Sequence, residues 1–323
     1  MNNYSWLQQK LHQLALSTNF MREIAFDAES SIIPTPKGID NHIFVSGLAR
    51  SGTTTFLNAL HESNKFASPT YKDMPFILAP NLWSKISFTK KNIDSIERAH
   101  GDGIKISSES PEAFEEVFWK TFNDSNFESA KKFKIFVKLI TYKYNRDRYL
   151  SKNNQNIKRL DLIAQIFPNS KILILYRDPI QQAFSLLSQH IKFIENSKKD
   201  KFISDYMKWI GHTEFGPNYI PINKKNLFYL NDLDINHWLE QWYLAYKNCY
   251  ETFQNCPNIY FISYERLCRS DEYWHELLKI LEIVDPKNFS FKESLKEVSQ
   301  PEDLILNKKA YSLYAQLDQL DIN

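Results

Sequence analysis

The chain is poor in cysteine, in net charge and in long apolar runs, and each shortage excludes a class of protein. Its three cysteines, Cys249, Cys256 and Cys268, are odd in number and show no C-x-x-C spacing, which argues against a disulfide framework or a zinc site. Forty basic residues against 38 acidic ones leave a net charge of +2, so the composition does not describe a nucleic-acid-binding or membrane-coating protein. An anionic ligand would have to be met by locally concentrated cations. No run is long enough to span a bilayer, although peripheral contact with a membrane stays open. The first twenty residues place Trp6, Leu7, Leu11 and Leu14 at helical spacing among polar residues, unlike the continuous apolar core of a signal peptide. The expectation is a cytoplasmic protein, with an N-terminal helix that could dock on a partner. There is no internal repeat and no low-complexity tract.

What is present is enough for a large core: 43% of the 323 residues are hydrophobic and 15% aromatic. This length suits one α/β domain with insertions. Residues 1–40 read as an N-terminal helix and a linker, the linker carrying Pro34, Pro36 and Gly38. The run from Ile43 to Ser46 predicts a buried parallel strand, Gly47 to Gly52 a tight loop, and Thr53 onward a helix with Phe56, Leu57 and Leu60 inward. Further strands are expected at Phe133–Leu139, Lys171–Tyr176 and Ile259–Ile262, with helices between them. Asp73 stands before an expected helix with Pro75 in its first turn. Ser110-Pro111-Glu112 reads as the start of another, and residues 196–231 as an insertion with one short helix and a long loop. Alternating strands and helices predict a parallel sheet covered on both faces. Arg50, Lys138 and Arg177 would then lie together beyond the carboxyl ends of its strands, where such sheets bind ligands.

The glycine loop before a helix N-terminus is a cradle for an anion: the first turn offers unpaired N–H groups, and glycine lets the backbone approach closely. Its pattern, G-x4-G-T-T, departs from a nucleotide-hydrolysing P-loop where Thr53 replaces the phosphate-binding lysine, and Arg50 brings a cation inside the loop. Together, strand, Arg50-Ser51-Gly52-Thr53-Thr54-Thr55 and helix resemble the 5′-phosphosulfate loop of the sulfotransferase superfamily, with likeness to its protein-tyrosine branch. Arg177-Asp178-Pro179, followed by Ser185 eight residues after Arg177, resembles the second signature of that superfamily. The resemblance spans residues 42–284 and implies a P-loop-like fold and the donor 3′-phosphoadenosine-5′-phosphosulfate. Arg177 and Ser185 would hold its 3′-phosphate, and Lys138 would touch the sulfuryl group. Tyr264, in Tyr264-Glu265-Arg266-Leu267, would border the nucleotide; a core tyrosine is the alternative.

The resemblance implies in-line transfer to a hydroxyl, with Arg50 and Lys138 stabilising charge and no metal required. Asp73, about two dozen residues after Arg50, stands where related members carry a glutamate base; a helix cap is its structural alternative. Glu115 is the second choice for the base. His61, His100 and Glu116 are less favoured, since Glu116 can pair with Lys120 one helical turn away. A carbohydrate or glycolipid acceptor is suggested by the carboxylate base and by Trp83, Trp119, Trp209 and Tyr219, which could stack on sugar rings. The competing readings are an ATP-dependent small-molecule kinase and a non-catalytic nucleotide-binding protein of the same fold.

Overall fold

The computed structural model describes residues 4–34, 40–87, 96–97, 105–123, 127–284, 289–293, 298 and 303–322. Five strands form a parallel sheet: β1 (Ile43–Ser46), β2 (Phe66–Ala67), β5 (Arg148–Lys152), β6 (Lys171–Tyr176) and β7 (Ile259–Ser263), in the order β2-β5-β1-β6-β7. A separate ribbon pairs β3 (Ile96–Glu97) with β4 (Lys105–Ile106). The helices are α1 (Trp6–Leu16), α2 (Asn19–Ile32), α3 (Thr53–His61), α4 (Pro80–Ile86), α5 (Glu116–Phe122) and α6 (Phe127–Tyr144) in the first half of the chain. They continue with α7 (Leu160–Ile166), α8 (Pro179–Ser197), α9 (Lys201–Trp209), α10 (Ile235–Phe253), α11 (Tyr264–Arg269), α12 (Asp271–Ile280) and α13 (Leu304–Leu320). Among the described residues, no helix is long and apolar enough to cross a membrane.

Successive side chains of a strand point to opposite faces, and the two cores follow from that. Phe44, Ile172, Ile174 and Tyr176 pack into the core built with α6, α8, α10 and α13. Ile43, Val45, Leu173 and Leu175 face the core shared with α3, α11 and α12. A sheet covered on both faces needs continuous apolar strands, and β1 and β6 are of that kind.

The expected strand Phe133–Leu139 is instead the middle of α6. Its apolar run reads either way, and the decision rests on the buried positions Ala130, Phe133, Phe136, Val137 and Ile140, which recur at helical spacing on one face. The strand that does occupy this place in the sheet is β5, where Arg148 and Lys152 flank a short interior and conceal it in the sequence. Residues 71–73 form one 3-10 turn, and the following helix begins at Pro80 rather than near Pro75. Pro111 forms a bridge with Thr70, while α5 starts only at Glu116. The polar tail yields α13, which buries Leu306, Ala310, Leu313 and Leu317 in a narrow stripe.

The N-terminus forms two helices, and α2 inserts charge into the interior. Both oxygens of the buried Glu29 carboxylate accept backbone N–H groups at the start of α4, from Asn81 at 2.8 Å and Leu82 at 2.9 Å. These groups have no partner within their own helix, so the carboxylate satisfies them and favours the positive end of the helix dipole.

His42 makes the fold sensitive to acid. It is 4% exposed, its Nδ1 accepts the N–H of Tyr149 at 3.1 Å, and its ring meets that of Phe167 edge-on. Burial pushes its pKa down from 6.5 to about 4. Between those values the unfolded chain takes up a proton that the native ring resists, so stability is lost as pH falls. The loss from this group is expected to reach about 3 kcal/mol. Urea unfolding at about pH 7 and about pH 4.5 measures the slope. His42→Asn, whose Oδ1 can accept the same N–H, is expected to remove that part of it; an unchanged slope refutes the assignment.

Candidate active site

A cavity of about 290 Å³ opens at the carboxyl ends of the sheet strands. The loop after β1 contributes Ala49, Arg50, Gly52 and Thr53 to Thr55; β5 and its continuation contribute Lys152, Asn153 and Asn154. Arg177 enters from the end of β6 and Tyr264 from the end of β7. Glu112 to Phe114, Glu116 and residues 210–212, 214 and 215 form the facing wall, and Lys292 completes the lining.

The loop geometry explains its glycines. Gly47 and Gly52 have φ of 131° and 90°. A Cβ on Gly47 would lie 2.3 Å from the carbonyl oxygen of Leu175, and one on Gly52 2.2 Å from the ring of Tyr264. No side chain fits either position without displacing the strand or the tyrosine. Arg50 also adopts a left-handed conformation, with φ 70°. Its Nε donates to Ser185 Oγ at 3.0 Å, so two residues separated by 135 positions meet at the loop. Ser185 itself stands behind Arg50 rather than on the cavity wall, and Ser51 is fully buried within the loop.

Three residues from α8 and α10 hold this loop. Gln182 Nε2 donates to the carbonyls of Leu48 and Ala49 at 3.2 and 3.0 Å. Tyr246 Oη accepts the N–H of Leu48 and donates to the carbonyl of Leu175. Trp242 Nε1 donates both to Gln182 Oε1 and to the carbonyl of Arg177. A backbone cradle fixed from behind needs little reorganisation when an anion arrives. No local pattern marks Gln182 or Tyr246, because their partners come from distant segments.

The second cationic position is Arg177, 9% exposed, with its Nε 3.7 Å from Glu265. Glu265 also accepts the N–H of Asp178 at 3.0 Å; burial raises the pKa of this carboxyl, while Arg177 acts in the opposite direction. Asp178 caps α8 by accepting from the N–H of Gln181. Tyr264 lines the cavity, packs over Gly52 and donates to the carbonyl of Lys292 at 3.2 Å.

Lys138 lies on α6 and does not line the cavity, so it is not the strand-end cation. Lys152 takes that place at the end of β5, its side chain only 6% exposed and its Nζ 3.7 Å from Glu112 Oε1. Asp73 is also absent from the cavity. Its carboxylate is fully buried, accepts from the Thr70 N–H at 2.7 Å and the Tyr144 hydroxyl at 2.8 Å, and forms an ion pair with Lys143. Thr70 and Asp73 form a capping box around the 3-10 turn, with Thr70 as its N-cap and Asp73 as its third residue, so Asp73 does not cap a helix ahead of Met74-Pro75 as expected.

The other carboxylates separate by depth. Glu115 is 2% exposed beneath β5 and accepts from Trp119, Tyr149, Ser151 and Asn156. It is not a cavity residue. Glu116 is one, and it does not pair with Lys120. Arg159 grips it in a fork at 2.8 and 3.1 Å, Asn153 adds a bond at 2.7 Å, and Lys120 donates to the carbonyl of Lys208. Burial raises the Glu116 pKa and Arg159 pulls it back. His61 ends α3 outside the cavity lining, and His100 lies outside the described residues. His212, not anticipated, lines the cavity with Nε2 3.6 Å from Glu214. Of the aromatics expected to stack on sugars, Trp119 is buried in the core, Trp83 packs against Phe76 and Trp209 against Phe202. Tyr219 lines a smaller cavity adjoining the main one.

A parallel sheet with a glycine-bearing loop after β1, and with Arg50 and Arg177 lining one cavity at its carboxyl edge, defines an α/β protein whose cavity lies where such sheets bind ligands. Residues 42–214 match the family model described as Sulfotransferase family, and the chain belongs to that family. Among solved structures, the sulfotransferase STF1 from Mycobacterium tuberculosis H37Rv is 12% identical, with a TM-score of 0.51 over 87% of this chain and 78% of that one. It shares the fold. STF9 from Mycobacterium avium is 12% identical with a TM-score of 0.43, covering 98% of this chain and 79% of its own. A sulfotransferase from Alicyclobacillus acidocaldarius is 14% identical with a TM-score of 0.42, covering 87% and 95%. Comparison with curated proteins finds no match.

Proposed function

We propose that the protein transfers a sulfuryl group from 3′-phosphoadenosine-5′-phosphosulfate to a hydroxyl of a carbohydrate or glycolipid acceptor. The observation that carries this reading is the meeting of Arg50, Gly52 and Thr53 to Thr55 with Arg177 around one cavity, Arg50 being bonded from behind by Ser185. The two glycines leave the close backbone approach that an anionic group needs, and the cations stand at the edge where that group would lie.

The loop amides and Arg50 would hold the 5′-phosphosulfate, with Thr53, Thr54 and Thr55 at the first turn of α3. Arg177 would hold the 3′-phosphate, Ser185 would position Arg50, and Tyr264 would border the nucleotide. The bound donor supplies the activated sulfuryl group. Lys152, rather than Lys138, is assigned to the charge that develops on sulfuryl oxygens, because it combines a strand-end position with a place on the cavity wall. Glu112 is assigned as the general base: it lines the cavity beside Lys152, whereas Asp73 lies outside the cavity and Glu116 is held in a two-bond fork by the Arg159 guanidinium.

Calorimetric titration with 3′-phosphoadenosine-5′-phosphate tests the donor assignment. The wild type is expected to bind it, and Arg177→Ala to bind about 100-fold more weakly, the loss of a charge-assisted pair with phosphate. Arg177→Ala should retain affinity for adenosine 5′-phosphosulfate, which lacks the 3′-phosphate. No binding of either nucleotide by the wild type refutes the reading; equal losses for both nucleotides refute the 3′ assignment.

A further inference from the structure

The loop between α9 and α10 holds large apolar side chains out in solvent. Ile220 is 51% exposed, Phe228 80%, Leu230 77% and Leu233 58%. Single exposed apolar residues are ordinary, but four on one loop make a patch. The two arms of the loop meet on neighbouring residues of α10: the Ile222 N–H donates to Gln241 Oε1 at 3.0 Å, and the Phe228 N–H to both oxygens of Glu240 at 3.1 and 2.9 Å.

This segment is held in place along its backbone. Glu240 also accepts the Tyr229 N–H at 2.8 Å, His237 Nδ1 donates to the Tyr229 carbonyl at 2.6 Å, and the Tyr229 hydroxyl donates to Asp303 at 2.7 Å. Trp238 Nε1 donates to the carbonyl of Asp232 at 2.9 Å. With the backbone fixed, the alternation of an extended chain turns Tyr229 inward onto the core and Phe228 and Leu230 outward. The loop therefore presents its apolar side chains without first having to order itself.

The charge beside the patch specifies what covers it. Lys224 and Lys225 stand exposed in a 3-10 turn between Ile220 and Phe228, and neither has an ion-pair partner among the described residues. The acids of the loop are turned elsewhere: Asp232 lies 3.6 Å from His190 Nε2, and Asp234 caps α10. Protruding apolar groups beside exposed lysines match a lipid surface, whose acyl boundary takes the first and whose anionic headgroups pair with the second. A second copy of the chain fits less well. The four side chains offer roughly 400 Å² of apolar surface, against about 800 Å² per partner in a specific interface. A two-fold contact would also bring the lysines of both copies to one interface.

The patch is continuous with the active site. The Ile220 N–H donates to the carbonyl of Thr213 at 3.0 Å, between His212 and Glu214 of the cavity wall. We propose that the 220–233 loop docks the protein on an anionic lipid surface, with Ile220, Phe228, Leu230 and Leu233 entering the boundary between headgroups and acyl chains and Lys224 and Lys225 pairing with lipid phosphates. Docking sets the wall opposite the glycine loop beside that surface. It requires no nucleotide and stands apart from the sulfotransferase reading.

The test sediments the full-length protein with vesicles of phosphatidylcholine, with and without phosphatidylglycerol. The wild type is expected to bind the phosphatidylglycerol vesicles about tenfold or more tightly than the neutral ones, a difference that shrinks as salt rises. Phe228→Asp combined with Leu230→Asp should weaken that binding about tenfold or more, and Lys224→Gln combined with Lys225→Gln should remove the preference for phosphatidylglycerol. All four side chains are exposed, so the melting temperature and the affinity for 3′-phosphoadenosine-5′-phosphate should stay at wild-type values. A wild type that ignores both vesicles or shows no preference between them overturns the proposal, as does undiminished binding by the Phe228→Asp, Leu230→Asp variant. A dimer in sedimentation equilibrium that this variant abolishes gives the patch to a second copy and overturns it too. Failure to bind the nucleotide counts against the sulfotransferase reading alone.

Discussion

Lys152→Ala is expected to lower turnover of the sulfuryl donor by about 10²–10³-fold, while donor affinity changes little. Lys152 ends β5, is almost wholly shielded and meets the cavity between Glu112 and the loop. In such an environment a fixed cation interacts more strongly with developing charge than it would in water, and its position is set before reaction. Product nucleotide released in single turnover, with donor affinity measured by calorimetry, separates the two effects. Lys138→Ala, altered on α6 away from the cavity, should leave both unchanged. If Lys152→Ala weakens donor binding and leaves the rate constant intact, Lys152 belongs to ground-state binding instead.

Glu112→Gln should cost about 10²–10⁴-fold in turnover, the usual range for losing a general base. Its carboxylate receives the Ala113 N–H and the Tyr71 hydroxyl and stands 3.7 Å from Lys152. The amide keeps the shape but gives up the negative charge beside Lys152 together with the ability to take a proton, and its NH2 replaces one of the two accepting oxygens. Accordingly the acid limb of the pH–rate profile should vanish with Glu112→Gln, whereas a variant that merely misplaces Lys152 would keep it. Asp73→Asn provides the contrast: it breaks a buried pair with Lys143, so stability should fall while turnover per folded molecule holds. Wild-type turnover by Glu112→Gln would return the base to another cavity group, with His212 the next to test.

The legible parts of the site were those in which chemistry and local structure share one short stretch. Residues 43–57 contain strand, glycine turn and helix start in succession, and Arg177-Asp178-Pro179 joins a strand end to a capped helix. Lys152 was hidden by its strand. β5 has only five residues, with charge at both ends, while the more apolar run around Lys138 satisfies helical and strand patterns alike. Asp73 offers two readings, base or cap of a helix near Pro75, and packing gives it a third place: it closes the capping box of the preceding 3-10 turn, away from the cavity, where Lys143 and Tyr144 from α6 hold its carboxylate. Glu116 looked like the partner of Lys120 because helical spacing allows it; Arg159, from beyond β5, offers two parallel bonds in a buried setting and wins.

By itself, the sequence determined the α/β class, the succession of strand, glycine turn and helix at residues 43–57 and the positions of Arg50 and Arg177 after strands, because each depends on neighbours within a few positions. The tertiary structure decided which lysine ends a sheet strand and which carboxylates reach the cavity. It also decided how Gln182, Trp242 and Tyr246 brace the loop. Those are properties of long-range packing, and residues more than a hundred positions apart acquire them only when the sheet brings their elements together.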